Sequence, residues 1–129
     1  MANILIVEDS QINLDILREI LNGCGSCDTA RSGLEAVEKF NRSLRVKEYY
    51  DLILLDIGLP GLSGMRILHK IRLSEQRAGI PVGDGIPIIM VTSYKERFLE
   101  AYDKGCHDYI LKPIDPDILL QKIHKYIQA

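Results

Sequence analysis

Residues 52–56 read Leu52-Ile53-Leu54-Leu55-Asp56, and Ile57-Gly58-Leu59-Pro60-Gly61 follows them. Four apolar residues in a row, ended by a carboxylate and a Gly/Pro-rich turn, are the pattern of a strand covered on both faces. The same pattern recurs on either side. Ile4 to Val7 ends at Glu8-Asp9-Ser10, Ile88 to Val91 ends at Thr92, and Tyr109 to Leu111 ends at Lys112-Pro113. Cys27 to Ala30 is a weaker strand of the same kind.

Helical periods fill the gaps. Residues 12–22 place Ile16, Leu17, Ile20 and Leu21 on one face, and Gly23 supplies a stop. Residues 33–40 carry Leu34, Val37 and Phe40 in register, and residues 63–72 carry Ile67, Leu68 and Ile71. A further helix spans 95–103 and stops at Gly105. Asp115 caps the last, with Leu119, Leu120, Ile123 and Ile127 inward. Ser74 to Pro87, rich in Gly and Pro, reads as an exposed solvated loop.

Five strand–helix units with doubly apolar strands predict an α/β fold. That pattern predicts one doubly wound, five-stranded parallel sheet with helices on both faces. In such a sheet every carboxyl end points the same way, and ligands bind at that edge. Glu8, Asp9, Asp56, Thr92 and Lys112 all sit there. For Asp56 alone, an acidic turn residue is the simpler reading; the same cannot be said of five polar residues spread over four strand ends. Three carboxyl groups in one pocket repel one another, so at least one pKa should rise unless a cation intervenes. A few oxygen ligands with room for water and phosphate suit Mg2+ better than Ca2+. The cation would also shield an incoming phosphoryl group from a carboxylate nucleophile, while Lys112 and the Thr92 hydroxyl hold its other oxygens.

The chain resembles the receiver domain of two-component response regulators over essentially its whole length. The matching pieces are Ile4-Leu-Ile-Val-Glu-Asp9, Asp51-Leu-Ile-Leu-Leu-Asp-Ile-Gly-Leu-Pro-Gly61, Ile88-Ile-Met-Val-Thr92 and Gly105-Cys-His-Asp-Tyr-Ile-Leu-Lys-Pro113. The resemblance implies a flavodoxin-like sheet of strand order 2-1-3-4-5, and it implies that Asp56 accepts a phosphoryl group from a sensor histidine kinase or a histidine phosphotransfer protein. It implies that Asp9 and Asp56 ligate Mg2+ directly, Glu8 through water, and Gly58 by its backbone carbonyl. Lys112 and Thr92 contact the phosphoryl group. Thr92 and Tyr109 form the switch, with Tyr109 turning inward, and the output partner meets the face of helix 4, strand 5 and helix 5. Pro113 is expected to follow a cis bond. Gly58 and Tyr94 border the approach of water to the phosphate. The segment Asp9-Ser-Gln-Ile-Asn13 resembles receivers attached to hybrid kinases or acting as stand-alone relays. Ser93 stands where the family usually has Ala, with a hydroxyl that could alter packing around the phosphate, and Cys106 also replaces an Ala and is expected in the core.

Such a domain is a phosphoacceptor that assists its own phosphorylation and dephosphorylation rather than an enzyme with a turned-over substrate. Two rival functions remain. A haloacid-dehalogenase-type phosphatase wants a second Asp two residues after the first, where this chain has Gly58. A pseudo-receiver is a pure interaction module, signalled by loss of an acidic or Lys position, and none is lost. Cys24-Gly-Ser-Cys27 with Cys106-His107 has zinc-ligand types, but strands two and five lie at opposite edges of the predicted sheet. His69 and His124 are expected on solvated helix faces. Gly23-Cys-Gly25 follows a helix, so it is no dinucleotide fingerprint.

Composition agrees. The 129 residues suit one domain spanning 1–129. Hydrophobic residues make up 47 %, and the net charge of −2 with pI about 5.9 argues against a nucleic-acid partner. No apolar run is long enough to span a membrane, and the start lacks the pattern of a signal peptide. A cytoplasmic protein with reduced thiols is the expectation.

Overall fold

The computed structural model describes residues 2–56, 58, 63–93 and 98–127. Its elements alternate as β1 (Ala2–Val7), α1 (Gln11–Ile20), β2 (Gly25–Ala30), α2 (Gly33–Val46), β3 (Leu52–Asp56), α3 (Gly64–Arg77), β4 (Ile88–Thr92), α4 (Phe98–Asp103), β5 (Asp108–Leu111) and α5 (Pro116–Tyr126). The strands form one parallel sheet in the predicted order β2-β1-β3-β4-β5. None of the described helices is long and apolar enough to cross a membrane.

Strand alternation splits the core in two. Leu5, Val7, Ile53, Leu55, Ile88, Met90 and Tyr109 face α2, α3 and α4. Ile4, Ile6, Leu52, Leu54, Ile89, Val91 and Ile110 face α1 and α5. Both sides of the central strands are therefore dry, and each fully buried Leu or Ile stabilises the fold by about 1.5–3 kcal/mol. Helix starts are set by short polar side chains. Ser10, Ser32 and Ser63 accept from the amides of Asn13, Glu35 and Arg66, and Asp115 from those of Asp117 and Ile118.

Several expectations are corrected. α3 continues to Arg77, so the loop begins at 78 and not at Ser74. The extra turn holds because Glu75 is buried and paired with Arg72 three residues back, at 2.7 Å. α2 runs on to Val46 and ends at Lys47 in a left-handed conformation (φ 60°). Its buried residues include Ala36 and Phe40, while Leu34 is 68 % exposed. In α1 the inward residues are Leu14, Leu17 and, just beyond, Leu21, whereas Ile16 points out. The start expected for α4, 95–97, lies outside the described residues.

At the amino end of the sheet, Arg72 ties elements together. Its Nε and one terminal nitrogen donate to the Gly105 carbonyl, and it also meets His107 Nδ1 at 3.2 Å. The Ile88 amide donates to the same Nδ1. Two donors on one ring nitrogen require its lone pair, so the proton sits on Nε2 and the ring is neutral. The Ile86 amide donates to Glu75 Oε2, anchoring the loop, and Gly85 packs so closely on Glu75 and Arg72 that a Cβ would collide with both.

Burial, aided by the Arg72 charge, holds His107 below the ordinary imidazole pKa of 6.5. Above 6.5 it is neutral folded or unfolded. As pH falls through 6.5 the unfolded chain takes up the proton first, so stability drops until the folded value is passed. Urea unfolding at stepped pH should show this decline. His107→Asn, which keeps an acceptor near Nδ1 but cannot titrate, should flatten it.

Candidate functional site

Parallel register builds the site. Val7 pairs with Leu55, so the next residues, Glu8 and Asp56, emerge side by side. Asp56 pairs with Val91 and Thr92 with Leu111, which brings Thr92 and Lys112 to the same edge. By alternation Glu8, Asp56 and Lys112 belong to the α1/α5 side of the sheet, while Thr92 shares the other side with Tyr109.

Carboxylate oxygens of Glu8, Asp9 and Asp56 lie within 4.8 Å of one another. Glu8 and Asp56 are buried, and Asp9 is exposed. Lys112 Nζ sits between the two buried acids, 3.1 Å from Asp56 Oδ2 and 3.4 Å from Glu8 Oε2. The Gly58 amide donates to Asp56 Oδ1 at 2.9 Å. Burial, reinforced by the neighbouring Asp56 carboxylate, pushes Glu8 above the usual carboxylate range, as the crowding argument required. Burial alone would lower Lys112, but its contacts with Asp56 and Glu8 outweigh that and raise it. A cluster with one lysine against three acids, open on the Asp9 side, has the donor chemistry for a hard divalent cation.

Thr92 is fully buried, and Tyr109 is 3 % exposed. Tyr109 packs in the core on the α2–α4 side of the sheet. The Lys112–Pro113 bond is cis, as expected. Cys106 is buried as expected, and Ser93 is exposed. Tyr94 lies outside the described residues. The three cysteines are free thiols, with Cys24 and Cys27 at or beside edge strand β2 and Cys106 before the opposite edge β5. His69 and His124 are exposed.

Two supporting residues were not given roles from sequence. Asn13 Nδ2 donates to Glu8 Oε1 at 2.9 Å, fixing that carboxylate from the first turn of α1. Arg31, just after β2, donates to the Asp9 carbonyl at 2.8 Å and reaches Gln11, holding the β1–α1 turn. Asn13 was visible in the motif, but its partner was not. Arg31 had no signal beyond its place at a strand end.

A parallel doubly wound sheet with an acidic, lysine-bearing pocket at its carboxyl edge places the chain in the α/β class whose ligands bind at that edge. The chain belongs to the response regulator receiver domain family, which it matches over residues 4–124, and is thus a receiver domain of two-component signalling. It is 35 % identical to hybrid signal transduction histidine kinase L of Dictyostelium discoideum over 98 % of its own length and 7 % of that protein's. Among solved structures it is similar to the response regulator TrrA of Thermotoga maritima in complex with Mg(2+)-BeF. That match has 30 % identity and TM-score 0.80, covering 98 % of this chain and 100 % of that one. It is also similar to a chain in the co-crystal structure of the Saccharomyces cerevisiae phosphotransfer protein Ypd1 with the receiver domain of Ssk1. There the identity is 31 % and the TM-score 0.82, covering 97 % of this chain and 88 % of that one.

The strained charge balance has a measurable consequence. Without divalent cations, Glu8→Gln should raise Tm by a few degrees, since it removes a buried, disfavoured charge but keeps an acceptor for Asn13. Differential scanning calorimetry in EDTA checks this.

Proposed function

We propose that this receiver, a single domain over residues 1–129, accepts a phosphoryl group on Asp56 from a phosphohistidine of a sensor histidine kinase or phosphotransfer protein. The observation that carries the reading is the Lys112 ammonium 3.1 Å from a buried Asp56 carboxylate inside a three-carboxylate cluster. The similarity to a receiver crystallised with Ypd1 supports the donor class. Mg2+ would be held by Asp9, Asp56 and the Gly58 carbonyl, with Glu8 acting through water. When bound, it neutralises charge between nucleophile and phosphoryl group.

An Asp56 oxygen attacks phosphorus, the P–N bond breaks, and the imidazole leaves with the electron pair. The Gly58 amide, which donates to Asp56 Oδ1, orients the carboxylate. Lys112, whose ammonium lies 3.1 Å from Asp56 Oδ2, follows the charge from the Asp56 carboxylate to a phosphoryl oxygen. The Thr92 hydroxyl takes another. Because Thr92 and Tyr109 share one face of the sheet, movement of Thr92 alters the space beside the Tyr109 ring. The structure's inward ring is then one member of a two-state equilibrium that phosphorylation biases, read by an output partner on α4, β5 and α5.

Acetyl phosphate with Mg2+ should give a hydroxylamine-labile label on this chain. Asp56→Asn should abolish it, and Asp9→Ala should slow labelling at low Mg2+ by about tenfold or more. Native-level labelling of Asp56→Asn would refute the assignment. Thr92→Ala should still be labelled but should lose the phosphorylation-dependent shifts of Tyr109 in NMR spectra. Gly58 brings no side chain to orient water, so Gly58→Asn should shorten the lifetime of the label, followed by phosphate release.

A further inference from the structure

A second charged surface lies away from the phosphorylation pocket, in a groove of about 420 Å3 between α3 and α4. Arg66, His69, Lys70 and Leu73 line it from α3, and Glu100 and Lys104 from α4 and its end. The exposed residues of α3 are Arg66, His69, Lys70, Gln76 and Arg77, with no acid among them. The helix's one carboxylate, Glu75, is buried and already paired with Arg72. Among the described residues, the ammonium and guanidinium groups of Arg66, Lys70 and Lys104 take part in no salt bridge. Lys39, Lys112 and Lys122 each have a carboxylate partner, but exposed Arg18, Arg42, Arg45 and Arg77 also take part in no salt bridge among the described residues, so the feature of Arg66, Lys70 and Lys104 is their convergence on one groove. On a chain of net charge −2, these three cations meet one carboxylate, Glu100, around one concave surface, which leaves a formal excess of positive charge among its described lining residues.

We infer that the α3–α4 groove binds an acidic segment of a partner protein, one presenting carboxylates on either side of an apolar side chain. Arg66 and Lys70, one turn apart on α3, face carboxylates along one wall, and Lys104 faces them from the other. Leu73 gives the apolar side chain a partly buried floor between them. The size of the groove suits a few side chains of a short segment. A nucleic acid fits less well, because three cations neutralise few phosphates and the rest of the surface is net acidic. Electrostatic steering of this kind acts mainly on the association rate and is weakened by salt. The inference does not depend on phosphorylation of Asp56, and the unphosphorylated chain tests it.

The probe is a short acetylated peptide of repeating Glu-Glu-Leu, titrated into the 15N-labelled chain. Saturable amide shifts on Arg66, Lys70, Leu73 and Lys104 are expected, with affinity falling as NaCl rises to about 0.3 M. Arg66→Glu combined with Lys70→Glu should weaken binding about tenfold or more. Circular dichroism of that variant checks that α3 is intact. Lys104→Glu, which leaves α3 untouched, should weaken it separately. Shifts centred on another surface, affinity unchanged in both variants, or no saturable binding would overturn the inference. So would an oligouridylate that shifts the same amides more tightly than the peptide.

Discussion

Everything at the working edge of this domain depends on the register of its parallel sheet. A parallel ladder offsets its strands by fixed steps, so pairing Val7 with Leu55 and Asp56 with Val91 leaves no freedom in where Glu8, Asp56, Thr92 and Lys112 emerge. A slip of one residue would send Asp56 to the other face and break the cluster. The apolar residues behind these positions, buried on both sides, make that slip costly. The core therefore sets the chemistry by fixing distances that no local interaction among the polar residues could hold against their own repulsion.

The two ends of the sheet handle buried charge differently. At the amino end, Arg72, Glu75 and His107 are mutually satisfied, and the arrangement joins α3 to the loop before β4 and to the start of β5. At the carboxyl end three carboxylates share one lysine, and burial, with the neighbouring Asp56 carboxylate adding to it, raises the affinity of Glu8 for its proton. A satisfied network favours a single geometry; an unsatisfied one is a place where a cation or a phosphoryl group changes the energy most. Alternation along β4 adds a second consequence. Asp56 and Thr92 emerge at one edge of the sheet but on opposite faces of it, Thr92 on the same face as Tyr109.

The sequence by itself determined the strand cores, the polar residues at their ends and the doubly wound class, because both signals are local: apolar runs, and the side chain at which each run stops. It placed Asp56, Glu8, Asp9, Thr92 and Lys112 in one pocket because parallel strands share a direction. It misread the extent of α3, since Ser74-Glu75-Gln76-Arg77 looks polar and loop-like until Glu75 is seen buried against Arg72 and the Ile86 amide. It also turned Leu34 and Ile16 inward, because helical periodicity leaves the exact face open by a residue. Only the tertiary structure decided that Asn13 holds Glu8, that Arg31 braces Asp9, that Tyr109 lies in the core, and that the cations of α3 and Lys104 line one groove. Each of these is a meeting of residues whose distance is fixed by helix packing on the sheet, a quantity that no stretch of the chain encodes alone.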